Sequence, residues 1–385
     1  MPWRETEPML ERAQFVAAVT SGEFSFAECC RRFGVSRRIG YKWWQRYQAE
    51  GAAGLAEQSR APHRCPHAVA PALVAQILQA KHAHPHWGPR KLRPYLLQRY
   101  PELPWPARST LGDVLDRHGL VAARRAPRRR VPPASAPLAH CQEVNQVWSA
   151  DFKGQFRLGN QRWCYPFTLS DNHSRYLLAC HGLHQPTEAG VWALCERVFR
   201  DYGLPMAIRT DNGAPFASRA LGGLTRLAVW WLKLGITPER IAPGQPQQNS
   251  RHERMHRTLK AEATQPAAAC LAAQQRRFDR FHAEYNHERP HEALGDRTPA
   301  SVHRHSSRPY PQRLPRVEYD HATQVRRVRT NGAIKWRGGL YFVSEVLVGE
   351  PVGLMPISND RWQLYFAHLP LAVLDDRLGC LIHPG

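Results

Sequence analysis

Acidic residues are scarce in this chain. Only 32 Asp and Glu stand against 53 Lys and Arg, leaving a formal charge of +21 at pH 7 over 385 residues. Long apolar runs are missing as well. The most apolar stretch, LAVWWLKLG (227–235), is short and broken by Lys233, where a membrane span needs about 20 apolar residues. The opening MPWRETEPMLER mixes acids with bases and has no apolar stretch of the kind a secretory signal carries, so none is expected. The nine Cys are scattered and never spaced as CxxC. That argues against a disulfide framework or a zinc ribbon and fits a reducing cytoplasm. His63, Cys65 and His67 are the nearest approach to a metal cluster, but they are too crowded for finger-type spacing and read as a polar linker. No internal repeat of fixed period is present.

What the chain does have is core material: 43% hydrophobic residues, with 12 Trp, 13 Phe and 12 Tyr. That excludes a wholly disordered protein, and at roughly 150 residues per domain the length suits two to three domains. The basic surplus points to a polyanionic partner, because each phosphate neutralised releases condensed counterions. Nucleic acid leads the candidates.

Composition divides the chain. Residues 1–60 hold a helix-turn-helix pattern. Ser25 followed by Glu28 makes a capping box for FAECCRRF, Gly34 ends that helix, and Ser36 caps RRIGYKWWQRY. Cys29, Phe33, Val35 and Trp43 supply the shared apolar side, which leaves Arg37, Arg38 and Lys42 near the start of the second helix to meet a groove. Residues 68–120 read as a second helical DNA-binding domain. Pro89 sits just inside a helix start, Leu92, Leu96 and Leu97 face inward, and Arg90 and Lys91 are offered to DNA. The segment 121–144 is a basic linker with five Arg, among them Arg128, Arg129 and Arg130. Residues 145–302 alternate strand-like and helix-like runs and predict an α/β sheet with antiparallel and parallel parts. Residues 312–385 carry hairpin signals at Asn331-Gly332, Gly338-Gly339 and Asn359-Asp360 and predict a small β-barrel.

Three carboxylates stand out within 145–302. Asp151 lies inside the strand-like VWSADF, where Asp is depleted. Asp211 ends another strand, the usual place for a site in an open α/β sheet. Glu253 lies one turn into the helix SRHERMHRTLK. Each alone has an ordinary reading: an edge-strand polar residue, a turn former before Asn-Gly, an exposed helix charge. If the helix packs beside the two strand ends, the three converge, and like charges so close cannot all ionise without a cation. Two hard divalent ions, about 4 Å apart, would neutralise them and leave positions open for phosphate oxygens. The pattern therefore points to phosphodiester chemistry.

VWSADFKG around Asp151, IRTDNGAPF around Asp211, PGQPQQNSRHERMHRTLK around Glu253 and FHAEYNHERPHEALGDRTPASV (281–302) together resemble the bacterial insertion-sequence transposases whose catalytic core is like that of retroviral integrases, the DDE group. The resemblance covers about 145–302 strongly and the flanks more weakly. It implies a ribonuclease-H-like core, a catalytic and metal-binding triad of Asp151, Asp211 and Glu253, and Mg²⁺ or Mn²⁺ as cofactor. It implies cleavage at element ends and joining of the 3′-OH to target DNA by a homo-oligomer on paired terminal repeats. It places the protein in the bacterial cytoplasm, associated with the nucleoid and not a membrane. Asn249 and Lys260 fall on motif positions near DNA. Helical spacing puts 253, 256, 257 and 260 on one side, so His256, Arg257 and Lys260 are expected to accompany the acid. Two departures are visible: forty-one residues separate Asp211 from Glu253, a longer segment than the integrase pattern has, and Ser250 follows the Asn where many relatives have Gly.

Rival readings exist. His252, Glu253 and His256 spell the HExxH pattern of zinc proteases, with both His on one helix side; that reading leaves Asp151 and Asp211 without a role. A catalytically silent DNA-binding regulator, or a nuclease without joining activity, would share the fold.

Overall fold

The computed structural model describes residues 8–57, 68–121, 141–218, 220–242 and 245–382, arranged in two compact units divided near residue 68. The segment with His63, Cys65 and His67, and most of the basic linker with Arg128, Arg129 and Arg130, lie outside the described residues. Among the described residues no helix is long and apolar enough to cross a membrane.

The first unit is a three-helix cluster of α1 (Pro8–Thr20), α2 (Phe26–Arg32) and α3 (Arg37–Glu50). Ser25 accepts a hydrogen bond from the Glu28 N–H and Ser36 one from Ile39, so both inner helices begin on capping hydroxyls. Gly34 has φ +63°, a left-handed turn that a side chain would strain. Phe15, Cys29, Cys30 and Trp43 form the core. Gly40 lets α3 approach closely, since a β-carbon there would stand 2.7 Å from the Cys30 sulfur and 3.0 Å from Phe15. Arg37, Arg38 and Lys42 are exposed at the head of α3.

The second unit opens with α4 (Pro71–Ala83), α5 (Pro89–Arg99) and α6 (Arg108–Arg117), packed around Ile77, Trp87, Leu92, Leu96, Trp105 and Leu111. Pro71 and Pro89 stand at helix starts, where a missing N–H costs nothing.

The main sheet comprises β1 (Val147–Phe152), β2 (Phe156–Arg157), β3 (Trp163–Asp171), β4 (Leu177–Leu183), β5 (Ala207–Thr210) and β6 (Thr237–Arg240). β1, β3 and β4 pair antiparallel, then β5 joins β1 and β6 joins β5 in parallel, as a crossover connection requires. Two helices, α7 (Glu188–Tyr202) and α8 (Arg226–Lys233), cover one face, sealing Trp148, Phe167, Leu169, Ile208, Phe199 and Trp230. On the opposite side, α9 (Ser250–Leu259) and α10 (Leu271–His287) bury Met255, Leu259, Phe278 and Phe281 against Cys164, Leu177 and Cys180. Between them α9 widens into one π-helical turn, Lys260–Thr264.

The last strands are β7 (Gln324–Arg327), β8 (Ala333–Trp336), β9 (Gly339–Phe342), β10 (Pro351–Ser358), β11 (Arg361–Phe366), β12 (Leu369–Asp375) and β13 (Cys380–Ile382). Gly338-Gly339 and Asn359-Asp360 turn hairpins as expected, whereas Asn331-Gly332 turns the chain between β7 and β8, which do not pair, and the expected small β-barrel is corrected. β13-β12-β11-β10-β7 is an open antiparallel sheet, and β8-β9 a separate hairpin, with no closed barrel among the described residues. The reason is packing. Its apolar side, with Val352, Leu354, Leu364, Phe366 and Leu374, is covered by Leu224, Ala228, Val229 and Leu232 at α8, so it need not curl onto itself. Between Arg226 and Lys233 α8 is wholly apolar because it lies between two sheets, with Leu227, Trp230, Trp231 and Leu234 facing the main one.

Candidate active site

Strand alternation builds the site. On β1, Trp148 and Ala150 face the α7–α8 core, so Ser149 and Asp151 face the other way, toward α9. On β3, Phe167 and Leu169 face the same core, leaving Thr168 and Ser170 beside Asp151 and Ser149, their cross-strand partners. The face toward α9 is thus lined by hydroxyls and a carboxylate where a second apolar face would be ordinary. α9 answers with Asn249, His252 and His256. Ser149 Oγ donates to Asn249 Oδ1 at 2.9 Å. Ser170 Oγ lies 2.8 Å from His252 Nδ1. Thr168 Oγ1 lies 2.8 Å from His252 Nε2 and 2.7 Å from His256 Nε2, and donates to the Asp151 carbonyl at 3.1 Å. His256 Nδ1 stands 3.7 Å from Asp151 Oδ2.

The acids follow from register. In the parallel pair, Val147 opposes Ala207 and Ser149 opposes Arg209. Two residues further along stand Asp151, still on β1, and Asp211, one residue beyond the end of β5. Asp211 lies just past the end of β5, where its Oδ1 accepts from the Gly213 N–H at 3.1 Å and holds the turn. Glu253 is exposed one turn into α9. Burial first, and then the Asp211 charge, push the Asp151 carboxyl up to about 7, with Glu253 adding to the rise; the Phe152 N–H and Lys153 oppose it. Burial holds the two imidazoles down, His252 to about 3 and His256 to about 2, so both are neutral.

The remaining sequence candidates fall in different surroundings. Arg257 and Lys260 are exposed along α9 with Glu253. His256 does not accompany them. It is 6% exposed and turned onto the sheet, because the buried side of α9 runs through 252, 255, 256 and 259. Asn249 is 5% exposed and spent on Ser149. Arg90 pairs with Glu292 at 3.5 Å, and Lys91 donates to the Pro290 carbonyl at 3.1 Å, so both seat α5 on the segment after α10. The residues that sequence reading passes over are Ser149, Thr168 and Ser170. Their signal was the phase of the alternation, polar at 149, 151, 168 and 170 in strands that are otherwise apolar.

A second feature lies beside α9. Lys91, Arg175, Arg251, Arg254, Arg289 and His291 line a cavity of about 520 Å³. Arg289 is paired with Glu262 at 2.7 Å. Arg175 and Arg251 both donate to the Asn172 carbonyl, a neutral acceptor. Burial and the Arg289 charge push Lys91 down to about 8. Cations so crowded suit a polyanion.

Two family models described as integrase core domain match residues 142–246 and 234–299. The chain carries an integrase core domain. A helix-turn-helix domain model matches 11–63 and a homeodomain-like domain model 39–115. With that core, of ribonuclease-H-like fold, behind helix-turn-helix units, the protein is a polynucleotidyl transferase of the DDE transposase and integrase kind. The HExxH zinc-protease reading falls away, since both nitrogens of His252 are committed to Ser170 and Thr168. Among curated proteins, the chain is 25% identical over 312 residues to the insertion element IS476 uncharacterized 39.2 kDa protein of Xanthomonas euvesicatoria, covering 81% of this chain and 82% of that one. It is 28% identical over 236 residues to the insertion element IS407 uncharacterized 31.7 kDa protein of Burkholderia multivorans, covering 59% and 79%. Among solved structures, the catalytic core domain of BIV integrase overlaps at 20% identity and a TM-score of 0.31, covering 41% of this chain and 93% of that one.

Proposed function

We propose that the chain is an insertion-sequence transposase that cuts at the ends of its element and joins the freed 3′-OH to target DNA, with Asp151, Asp211 and Glu253 as its reactive acids. One observation carries this reading: Asp151 on β1 and Asp211 just past the end of the neighbouring parallel strand β5 are close enough that burial, the Asp211 charge and the Glu253 charge raise Asp151 to about 7. Carboxylates crowded in this way ionise together only beside a cation. In this reading the three acids would hold hard divalent ions, Mg²⁺ or Mn²⁺, as a pair. When bound, such ions ready the attacking oxygen and stabilise the leaving one in an in-line displacement at phosphorus.

The chain's own groups do the rest. Asn249 and the hydroxyls of β1 and β3 fix α9, and so Glu253, against the strand carrying Asp151. Arg257 and Lys260, exposed on the same helix as Glu253, hold the phosphate backbone of the reacting strand. The basic cavity takes a further stretch of backbone, and Arg37, Arg38 and Lys42 on α3 read the terminal repeat. The domain division 1–60, 68–120, 121–144, 145–302 and 312–385 gives two DNA-reading units, a tether, the core and a supporting tail. Handling two ends together calls for several copies on paired DNA.

The test is strand transfer by Asp151→Asn, Asp211→Asn and Glu253→Gln. Each variant is expected to bind end DNA as the parent does and to join none. Full joining by Asp151→Asn would overturn the assignment.

A further inference from the structure

The three contacts at Thr168 Oγ1 admit one arrangement of hydrogens. A hydroxyl has one proton and two lone pairs. The Asp151 carbonyl can only accept, so the Thr168 proton goes there, and the two imidazoles reach the lone pairs as Nε2–H donors. The other nitrogen of His252, Nδ1, lies 2.8 Å from Ser170 Oγ. His256, with Nε2 turned to Thr168, presents Nδ1 to Asp151 Oδ2 across 3.7 Å. The separation is too long for a hydrogen bond. It falls within the span of two ligands of one ion, which at bond lengths of about 2.1 Å stand roughly 3.0 to 4.2 Å apart. Asp151, His252 and His256 form the one group of three metal-ligating side chains that lies together among the described residues. Within that group His252 has no nitrogen to give. An imidazole whose far N–H is anchored on a hydroxyl, and whose near nitrogen looks at a carboxylate, has the arrangement that metal-binding histidines use.

From this geometry we infer that His256 Nδ1 is a nitrogen ligand of the divalent ion held by Asp151, oriented by Thr168 and, through it, by His252 and Ser170. The inference rests on the reading of Asp151 as a metal ligand. It makes that ion's shell mixed nitrogen and oxygen, which tilts the site toward Mn²⁺ and away from Mg²⁺.

The probe is Mn²⁺ bound to the full chain, read by pulsed electron paramagnetic resonance for nitrogen coupling. The parent is expected to show a directly bound nitrogen whose signal changes isotope when the histidines are labelled with ¹⁵N. In His256→Gln that coupling is lost and Mn²⁺ affinity falls. Thr168→Val keeps the coupling but weakens the affinity roughly 10–100-fold. The labelled parent gives an answer even if His256→Gln fails to fold. Mn²⁺ that requires Asp151 yet shows no histidine coupling, or coupling that survives in His256→Gln, overturns the inference while leaving the acids' role intact. Mn²⁺ that binds Asp151→Asn as well as the parent defeats the reading of the acids, and this inference with it.

Discussion

Asn249 Oδ1 accepts the hydroxyl proton of Ser149 across 2.9 Å, tying the residue that opens α9 to the strand that carries Asp151 two positions on. Ser149 in turn accepts from the Asn172 side-chain amide at 2.8 Å, and all three residues are buried. Replacing Asn249 by Leu leaves the Ser149 hydroxyl without its acceptor in an apolar setting, which costs about 1–3 kcal/mol. A fall in the thermal midpoint is expected, with strand transfer falling further than end binding because Glu253 loses its foothold. Unchanged transfer by a destabilised Asn249→Leu protein would show that the foothold does not matter.

Gly40→Ala should break the first unit alone. The new methyl meets the Cys30 sulfur and Phe15 below ordinary contact distance. Overpacking of about 1–3 kcal/mol outweighs the gain of roughly 1 kcal/mol that Ala brings to a helix. Specific binding to end DNA is expected to drop, while Mn²⁺ binding by the core stays as in the parent. Retained end binding with full specificity would remove this unit from DNA reading.

The basic cavity predicts a salt signature. Each phosphate contact contributes close to one to the slope of log affinity against log salt. Arg254→Ala and Arg251→Ala are each expected to reduce that slope by about one on any duplex, without altering sequence preference. A slope equal to the parent's in both variants would exclude the cavity from backbone binding.

Lys91 gives a pH prediction. Burial and the Arg289 charge depress its folded value to about 8, below the ordinary 10.5. Between those values the unfolded chain holds the extra proton, so the stability contribution rises with pH from about 8 to 10.5. The penalty of burying the charge is fully present below 8. Lys91→Met should therefore raise the thermal midpoint at pH 7 by more than it does near pH 10. An equal effect at both values would mean that the charge carries no penalty.

Much of the fold was legible because its signals are local. The Ser25 and Ser36 caps, the Asn-Gly and Gly-Gly turns, and the switch between two-residue and helical periods are read within a few neighbours. Asp151 was conspicuous as an acid among Val147, Trp148 and Phe152, and Asp211 as a strand-ending one. What was hidden is what depends on a distant partner. His252 and His256 read as a helix pair, and only the hydroxyls of β3, some eighty residues earlier, decide that both turn inward. Closure of the last strands into a barrel failed for a like reason, since hairpin signals say nothing of whether α8 will cover the sheet.

The placement of α8 has a final consequence. Among the described residues its Ala228, Val229 and Leu232 side is covered by the C-terminal sheet, while its Trp230 and Trp231 side belongs to the main sheet. The tail is therefore a wall of the catalytic body. A shortened chain ending near residue 312 would leave an oily flank on the helix between β5 and β6, three residues away from the strand that follows it. Such a fragment would be prone to clumping, and its loss of chemistry would say little about what the tail itself touches on DNA.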